Sequence, residues 1–140
     1  MPDFNDNRTS LMRVRLGRAH ECLESASREI AAGAYKEAAN RSYYCMFHSI
    51  RAVLALDGVD FRKHSGVIAD FNQRYIKTGI FPKEFSKTIR NAFEVRNDSD
   101  YDDYYVISKE EVAQQIRNAE SFLEAVEKYV VSIQDEHNWT

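Results

Sequence analysis

Met12, Leu16, Ala19, Leu23, Ala26 and Ile30 recur at offsets 0, 4, 7, 11, 14 and 18, the spacing that lines one face of an α-helix with apolar side chains. A long first helix is expected, preceded by a polar stretch over residues 1–8 that is expected to be flexible. Gly33 falls just past the last periodic residue, where a helix end favours a residue free to take positive φ. Tyr35 opens the next pattern almost at once, so the first two helices should be antiparallel neighbours.

The second helix is predicted from Tyr35 to Leu56, with Ala39, Tyr43, Met46, Ile50 and Val53 on its core stripe and Phe47 and Leu54 widening it. Asp57-Gly58 ends it. A shorter third helix carries Val67, Ile68, Phe71 and Tyr75, with Ser65 as its expected cap and Thr78-Gly79 as its break. Pro82 suits the first turn of a fourth helix, whose buried face is Phe85, Ile89, Ala92, Phe93 and Arg96 and whose end falls between Asp98 and Tyr101, where Asn and Asp favour turns. Ser108-Lys109-Glu110-Glu111 has capping-box spacing. Val112, Ile116, Ala119, Leu123, Val126, Val130 and Ile133 then repeat with helical period, a fifth helix of about 21 residues. Residues 135–140 are expected to be a flexible end. No stretch alternates as a strand should, and no internal repeat is present. The pattern therefore predicts an all-α fold, an antiparallel bundle of four long helices plus a short third helix, in one domain over residues 9–134.

Composition narrows the function classes. A chain of 140 residues with 44 % apolar content can bury a core without disulfides or a structural metal. No apolar run approaches the roughly 20 residues that cross a bilayer, and no basic-then-apolar leader opens the chain, which points to the cytoplasm and to no membrane partner. Cys22 and Cys45 lie inside helical patterns without metal-ligand spacing, so free buried thiols are expected and neither a metal nor a cofactor is assigned. The net charge of −3 supplies no global basic field, so any contact with RNA needs a local patch or one formed by oligomerisation. Glycine-rich phosphate loops, Gly-x-Ser-x-Gly elbows and His-Glu-x-x-His elements are absent.

The densest chemistry is Arg96-Asn97-Asp98-Ser99-Asp100-Tyr101-Asp102-Asp103-Tyr104-Tyr105. Arg96 stands 11 residues after Phe85 on the apolar face, and a charge pointed at a core needs partners. Asp98, Asp100 and Asp102 alternate like the start of a calcium loop. Asp103 stands where that loop needs glycine and Lys109 where it needs a bidentate glutamate, which rejects an EF-hand. On the second helix, Arg41, Tyr44, His48 and Arg51 form a basic, aromatic stripe that fits an anion-binding groove, a dimer face or a solvated polar face. The connection Phe61-Arg62-Lys63-His64-Ser65-Gly66 adds His64 as an anion-binding candidate beside a helix N-terminus.

Three segments in order, Ala39-Asn40-Arg41-Ser42-Tyr43-Tyr44-Cys45-Met46-Phe47-His48, Lys63-His64-Ser65-Gly66-Val67-Ile68 and Arg96-Asn97-Asp98-Ser99-Asp100-Tyr101-Asp102, resemble the HEPN domain of the small stand-alone prokaryotic type, over roughly residues 10–130. The resemblance implies a helical bundle that forms a homodimer and, in many members, a metal-independent ribonuclease whose motif is arginine, a polar residue, a short spacer and histidine. Many such proteins are toxins paired with a small nucleotidyltransferase. Arg96 and Asn97 match the first two motif positions, and Tyr101 stands in the place of the histidine. A histidine of ordinary pKa shuttles protons at neutral pH, whereas a phenol donates to an oxyanion or stacks on a base. In this reading Arg96, Asn97 and Tyr101 are the catalytic candidates, with His64 or His48 as the available imidazoles. The paired nucleotidyltransferases modify a tyrosine near the motif, which makes Tyr104 and Tyr105 modification candidates. Three functional readings stand: an RNA-engaging toxin-like subunit, a non-catalytic module that binds a nucleotide or protein, and a purely structural pairing of Arg96 with Asp100.

Overall fold

The computed structural model describes the backbone of residues 4–138 and the side chains of residues 7–134. It forms α1 (Phe4–Ala31), α2 (Tyr35–Leu56), α3 (His64–Phe71), α4 (Glu84–Tyr101) and α5 (Lys109–Asn138), with no strand among the described residues. The architecture is the expected all-α antiparallel bundle.

Glycine sets its first reversal. Gly33 takes φ +78°, Gly33 N–H donates to Ile30 O at 3.1 Å, and Ala34 N–H donates to Glu29 O at 2.8 Å, so the last carbonyls of α1 are satisfied as α2 begins. Gly58 at φ +71° does the same for α2, where Val59 N–H reaches Leu54 O at 3.0 Å. The Arg8 guanidinium lies directly over Gly58, filling the space a Cβ would need.

The second helix is the centre of the bundle, packed against α1, α3, α4 and α5. It buries more than one stripe. Ser42 and Ser49 are both fully buried and bond back to Ala38 O at 2.9 Å and Cys45 O at 2.8 Å, so neither hydroxyl is left unpaired. Cys22 and Cys45 are free and buried, and burial pushes the Cys45 thiol up to about 12. Below α2, rings of Phe71, Tyr75, Phe81, Phe85 and Phe122 stack in series, Phe85 on Phe122 at 4.5 Å. A smaller cluster of Ala26, Ala38, Ala39, Ile107, Val112 and Ile116 joins the α1–α2 turn to the start of α5.

Several boundaries differ from the periodic reading. The flexible ends expected at residues 1–8 and 135–140 lie partly outside the described residues, and the described parts, 4–8 and 135–138, are helical backbone. The fifth helix is 30 residues long rather than about 21, and Ser108 caps it: Glu111 N–H donates to Ser108 Oγ at 3.1 Å, and that hydroxyl, rather than the Ser108 N–H, donates to Glu111 Oε1 at 3.3 Å. Ser65 does not cap α3. Extended backbone at Lys63 (ψ 139°) brings the chain into the helix at His64, leaving Ser65 exposed in the first turn and Lys63 at the cap position with no side-chain cap. The third helix continues into a π-helical turn, Asn72–Ile76, which buries Tyr75 and Ile76 side by side, a placement a 3.6-residue period does not anticipate. Pro82 precedes α4 rather than entering it, with Lys83 at the cap position and Pro82 O accepting from Phe85 N–H at 3.0 Å. Among the described residues no helix is long and apolar enough to cross a membrane.

Candidate functional site

The last turns of α4 cross the N-terminal half of α2, where Asp100 reaches Asn40 and Arg96 stands over Tyr43 and Tyr44. Its guanidinium carbon sits 5.5 Å from the centroid of Tyr44 and 6.0 Å from that of Tyr43, and its side chain is 18 % exposed. Its Nη1 donates to Asn97 Oδ1 at 3.2 Å. Its Nε is 3.1 Å from Asp100 Oδ2, an ion pair one turn along the helix without hydrogen-bond alignment. The same Asp100 oxygen accepts a long 3.5 Å bond from Asn40 Nδ2, so the carboxylate ties α4 to α2. A planar cation held over two rings and against one carboxylate is oriented before any ligand arrives, and among the described residues most of its five N–H donors have no hydrogen-bond partner.

Across the two tyrosines from Arg96 lies His64, the first residue of α3. Its Nδ1 is 2.7 Å from the buried Tyr43 hydroxyl, its ring stacks on Phe47 at 4.1 Å, and Tyr44 meets it edge-on at 5.8 Å. Burial, then the charges of Arg96 and Arg51, lower its pKa below the ordinary histidine value. Burial, with opposing pressure from Arg96, pushes the Tyr43 phenol up, so this phenol keeps its proton. The pair therefore consists of a protonated phenol and a neutral imidazole. When the phenol donates to Nδ1, Nε2 carries the ring proton and is a donor, not a base. His48 is further along α2, and burial followed by Arg51, Arg18 and Arg15 lowers it to about 4.

The basic stripe of α2 serves two places. Arg41 is exposed beside a crevice of about 310 Å³ that Glu37, Asn40, Ser99 and Asp100 also line. Arg51 turns to the opposite end. Its Nη2 donates to Asp60 Oδ1 at 3.1 Å, while the buried Arg15 holds Asp60 Oδ2 at 3.4 Å and donates to the Arg51 carbonyl at 2.9 Å. Burial raises the Asp60 pKa, but the hydrogen bond and charges of Arg51 and Arg15 hold it below the ordinary carboxylate value overall. An open cleft of about 470 Å³ lies here, lined by Phe47, Arg51, Asp60, Phe61, Arg62 and His64.

The tyrosines after α4 differ sharply in access. Tyr101 closes the helix at 78 % exposure and Tyr104 is 93 % exposed, whereas Tyr105 packs partly against the Ile107–Val112 cluster and its phenol is raised by burial, Glu111 and Asp98. In the loop, Asp102 Oδ1 accepts from Tyr104 N–H at 3.0 Å. Among the described residues no three His, Cys, Asp or Glu side chains are grouped to hold a metal ion.

The structure thus gathers Arg96, Asn97, Tyr44 and His64 at one crossing, with Arg51 and His48 beyond them and Arg41 in the crevice that Asp100 also lines. Sequence reasoning missed Tyr43, Arg15 and Asp60. Arg15 was findable, since it falls between Met12 and Ala19 on the buried face of α1, an arginine among apolar positions as Arg96 is.

A family model described as HEPN domain matches residues 12–129. A UPF0332 protein of Thermotoga maritima is 41 % identical over 113 residues, 81 % of this chain and 86 % of that relative. Two proteins of Methanocaldococcus jannaschii, each described as a "putative toxin", are 32 % identical over 115 residues (82 % of this chain, 78 % of the relative) and 29 % identical over 115 residues (82 % and 85 %).

Proposed function

The chain belongs to the HEPN domain family, and from that premise we propose that it is a toxin-like, RNA-engaging subunit, cytoplasmic and homodimeric, whose neutralising partner is a small nucleotidyltransferase. The toxin description of two relatives supports the first part of this reading. The observation that carries it is Arg96, a guanidinium fixed on Tyr44 and Tyr43 with donors to spare at the edge of a helix end. Such a group suits a phosphate, which accepts the planar fork through two oxygens. Asn97 adds an amide beside it, and the exposed Tyr101 offers a ring for a base or a hydroxyl for an oxyanion. A symmetric dimer brings a second Arg96 and raises the local positive potential that a net charge of −3 denies the single chain.

One observation favours a second reading, a non-catalytic module binding a nucleotide or protein. Arg96 already has a carboxylate in Asp100, and His64, its pKa lowered by burial and then by Arg96 and Arg51, already has Nδ1 engaged by the Tyr43 hydroxyl. Purified chain, incubated with single-stranded RNA in the presence of a chelator and compared with Arg96→Ala, separates the two. RNA bound and cut by the wild type alone supports the ribonuclease reading. A mononucleotide bound through Arg96 with RNA left intact selects the module. A protein that neither binds RNA nor arrests growth when expressed without a partner overturns the toxin-like reading.

A further inference from the structure

Two helical turns along α2 from Tyr44, about 10 Å at 1.5 Å per residue, the Arg51 end of the bundle carries a charge imbalance. Arg15 is 4 % exposed and Arg51 is largely covered, yet among the described residues both guanidiniums are matched by one carboxylate, Asp60. Buried cations demand compensation, and one carboxylate neutralises one of two. Arg51 Nε and His48 Nδ1 are buried without hydrogen-bond partners. Arg62 brings a further cation to the same cleft. The field these arginines create is felt by His48, which burial and then Arg51, Arg18 and Arg15 hold at about 4.

Asp60 is the loosest member of the cluster. Its side chain is 58 % exposed and it sits on the connection between α2 and α3, whereas both arginines rise from helices. Its two oxygens are spread over two guanidiniums, the arrangement an oxyanion with three or four oxygens would fill more completely. Beside it, Phe47 and His64 are stacked, and Phe61, 41 % exposed, lines the wall of the cleft. Cations for a phosphate and a ring for a base are the two elements that hold single-stranded nucleic acid.

We propose that this cleft is a second phosphate subsite for a ribonucleotide unit of bound RNA, in which Asp60 is a resident stand-in that the incoming phosphate displaces from Arg51 and Arg15. The assignment rests on the RNA-engaging reading of Arg96 and names how the strand continues beyond it. Arg51 and Arg62 contact the phosphate, Phe61 stacks the base, and Arg15 supplies charge from behind. Asp60 keeps the arginines oriented while the cleft is empty and weakens binding by competing for them.

The test measures binding of a short single-stranded oligoribonucleotide and of AMP to the full chain, its Asp60→Asn, Arg62→Ala and Arg96→Ala variants, with thermal unfolding in phosphate and in chloride at matched ionic strength. Asp60→Asn is expected to melt lower in chloride, to recover more melting temperature from phosphate than the wild type, and to bind the oligoribonucleotide several-fold more tightly. Arg62→Ala is expected to lose about tenfold for both ligands. AMP binding that survives Arg96→Ala and is lost in Arg62→Ala supports the cleft even if RNA binding through Arg96 fails. Asp60→Asn that binds no more tightly and gains nothing extra from phosphate overturns the proposal, as does AMP binding unchanged in Arg62→Ala.

Discussion

Arg96 and Tyr44 stand one over the other at the crossing of α4 and α2, guanidinium carbon 5.5 Å from ring centroid, so the aromatic ring of one helix sets the direction of the cation on the other. A cation–π contact of this kind is worth about 0.5–2 kcal/mol according to its exposure. Removing the ring with Tyr44→Leu should therefore weaken RNA binding by roughly tenfold while leaving Arg96 in place, and Tyr44→Phe should be close to wild type. Arg96→Lys keeps the charge and loses the planar fork, and it should recover less than half of the binding free energy that Arg96→Ala removes. Fluorescence anisotropy on a labelled oligoribonucleotide reads the four variants beside the wild type, and equal binding by Tyr44→Leu and wild type would count against the geometry.

Tyr101 is 78 % exposed, and the proposed reading puts it in the place of a proton-shuttling histidine. A substitution there touches little of the core, so Tyr101→His should change stability by about 0.5 kcal/mol or less. It restores an imidazole one turn beyond Asn97. The expected outcome is RNA cleavage that is faster than wild type and absent when Arg96→Ala is added, with a pH profile bending near 6.5, the ordinary histidine value. No gain in cleavage at any pH would mean that the surrounding geometry, not the phenol, is the obstacle.

The two tyrosines of the following loop are expected to behave unequally toward a nucleotidyltransferase. Tyr104 is 93 % exposed, whereas Tyr105 is partly packed and its phenol is pushed up by burial, Glu111 and Asp98. Transfer to a tyrosine needs an accessible oxygen, so mass added to this loop by a co-expressed partner should vanish in Tyr104→Phe and persist in Tyr105→Phe. Peptide mass spectrometry reads the difference directly.

How much of this was legible in the sequence varies with the range of the interaction. The bounds of α2 and the cap at Ser108 followed from local spacing, and so did the place of Arg96 on an apolar face. Tyr43 was legible as core but not as the partner of His64, because that bond depends on where α3 begins after an irregular connection. The stripe Arg41, Tyr44, His48 and Arg51 was legible as one face, yet ten residues along a helix is about 15 Å, enough to send its two arginines to separate environments. The π-helical turn at Asn72 leaves no mark in a hydrophobic period, since the extra residue is accommodated by backbone hydrogen bonding.

The imidazoles make stability depend on pH in a direction that can be worked out. Burial and then Arg51, Arg18 and Arg15 hold His48 at about 4 in the folded chain, against an ordinary value of 6.5 in the unfolded one. Between these values the unfolded state binds the proton and the folded state does not, so stability is full above about 6.5 and falls as pH drops toward about 4. The loss for His48 is on the order of 3 kcal/mol. His64, also depressed, acts in the same direction below its ordinary value. Asp60 is held below the ordinary carboxylate range, so its own contribution is lost only at more acid pH, as its carboxylate protonates. Thermal unfolding from pH 7 to pH 4 should show a steady fall in the wild type and a shallower one in His48→Gln, which keeps a polar group and removes the titration. Parallel curves for the two proteins would assign the acid sensitivity to groups other than the imidazole beside Arg51.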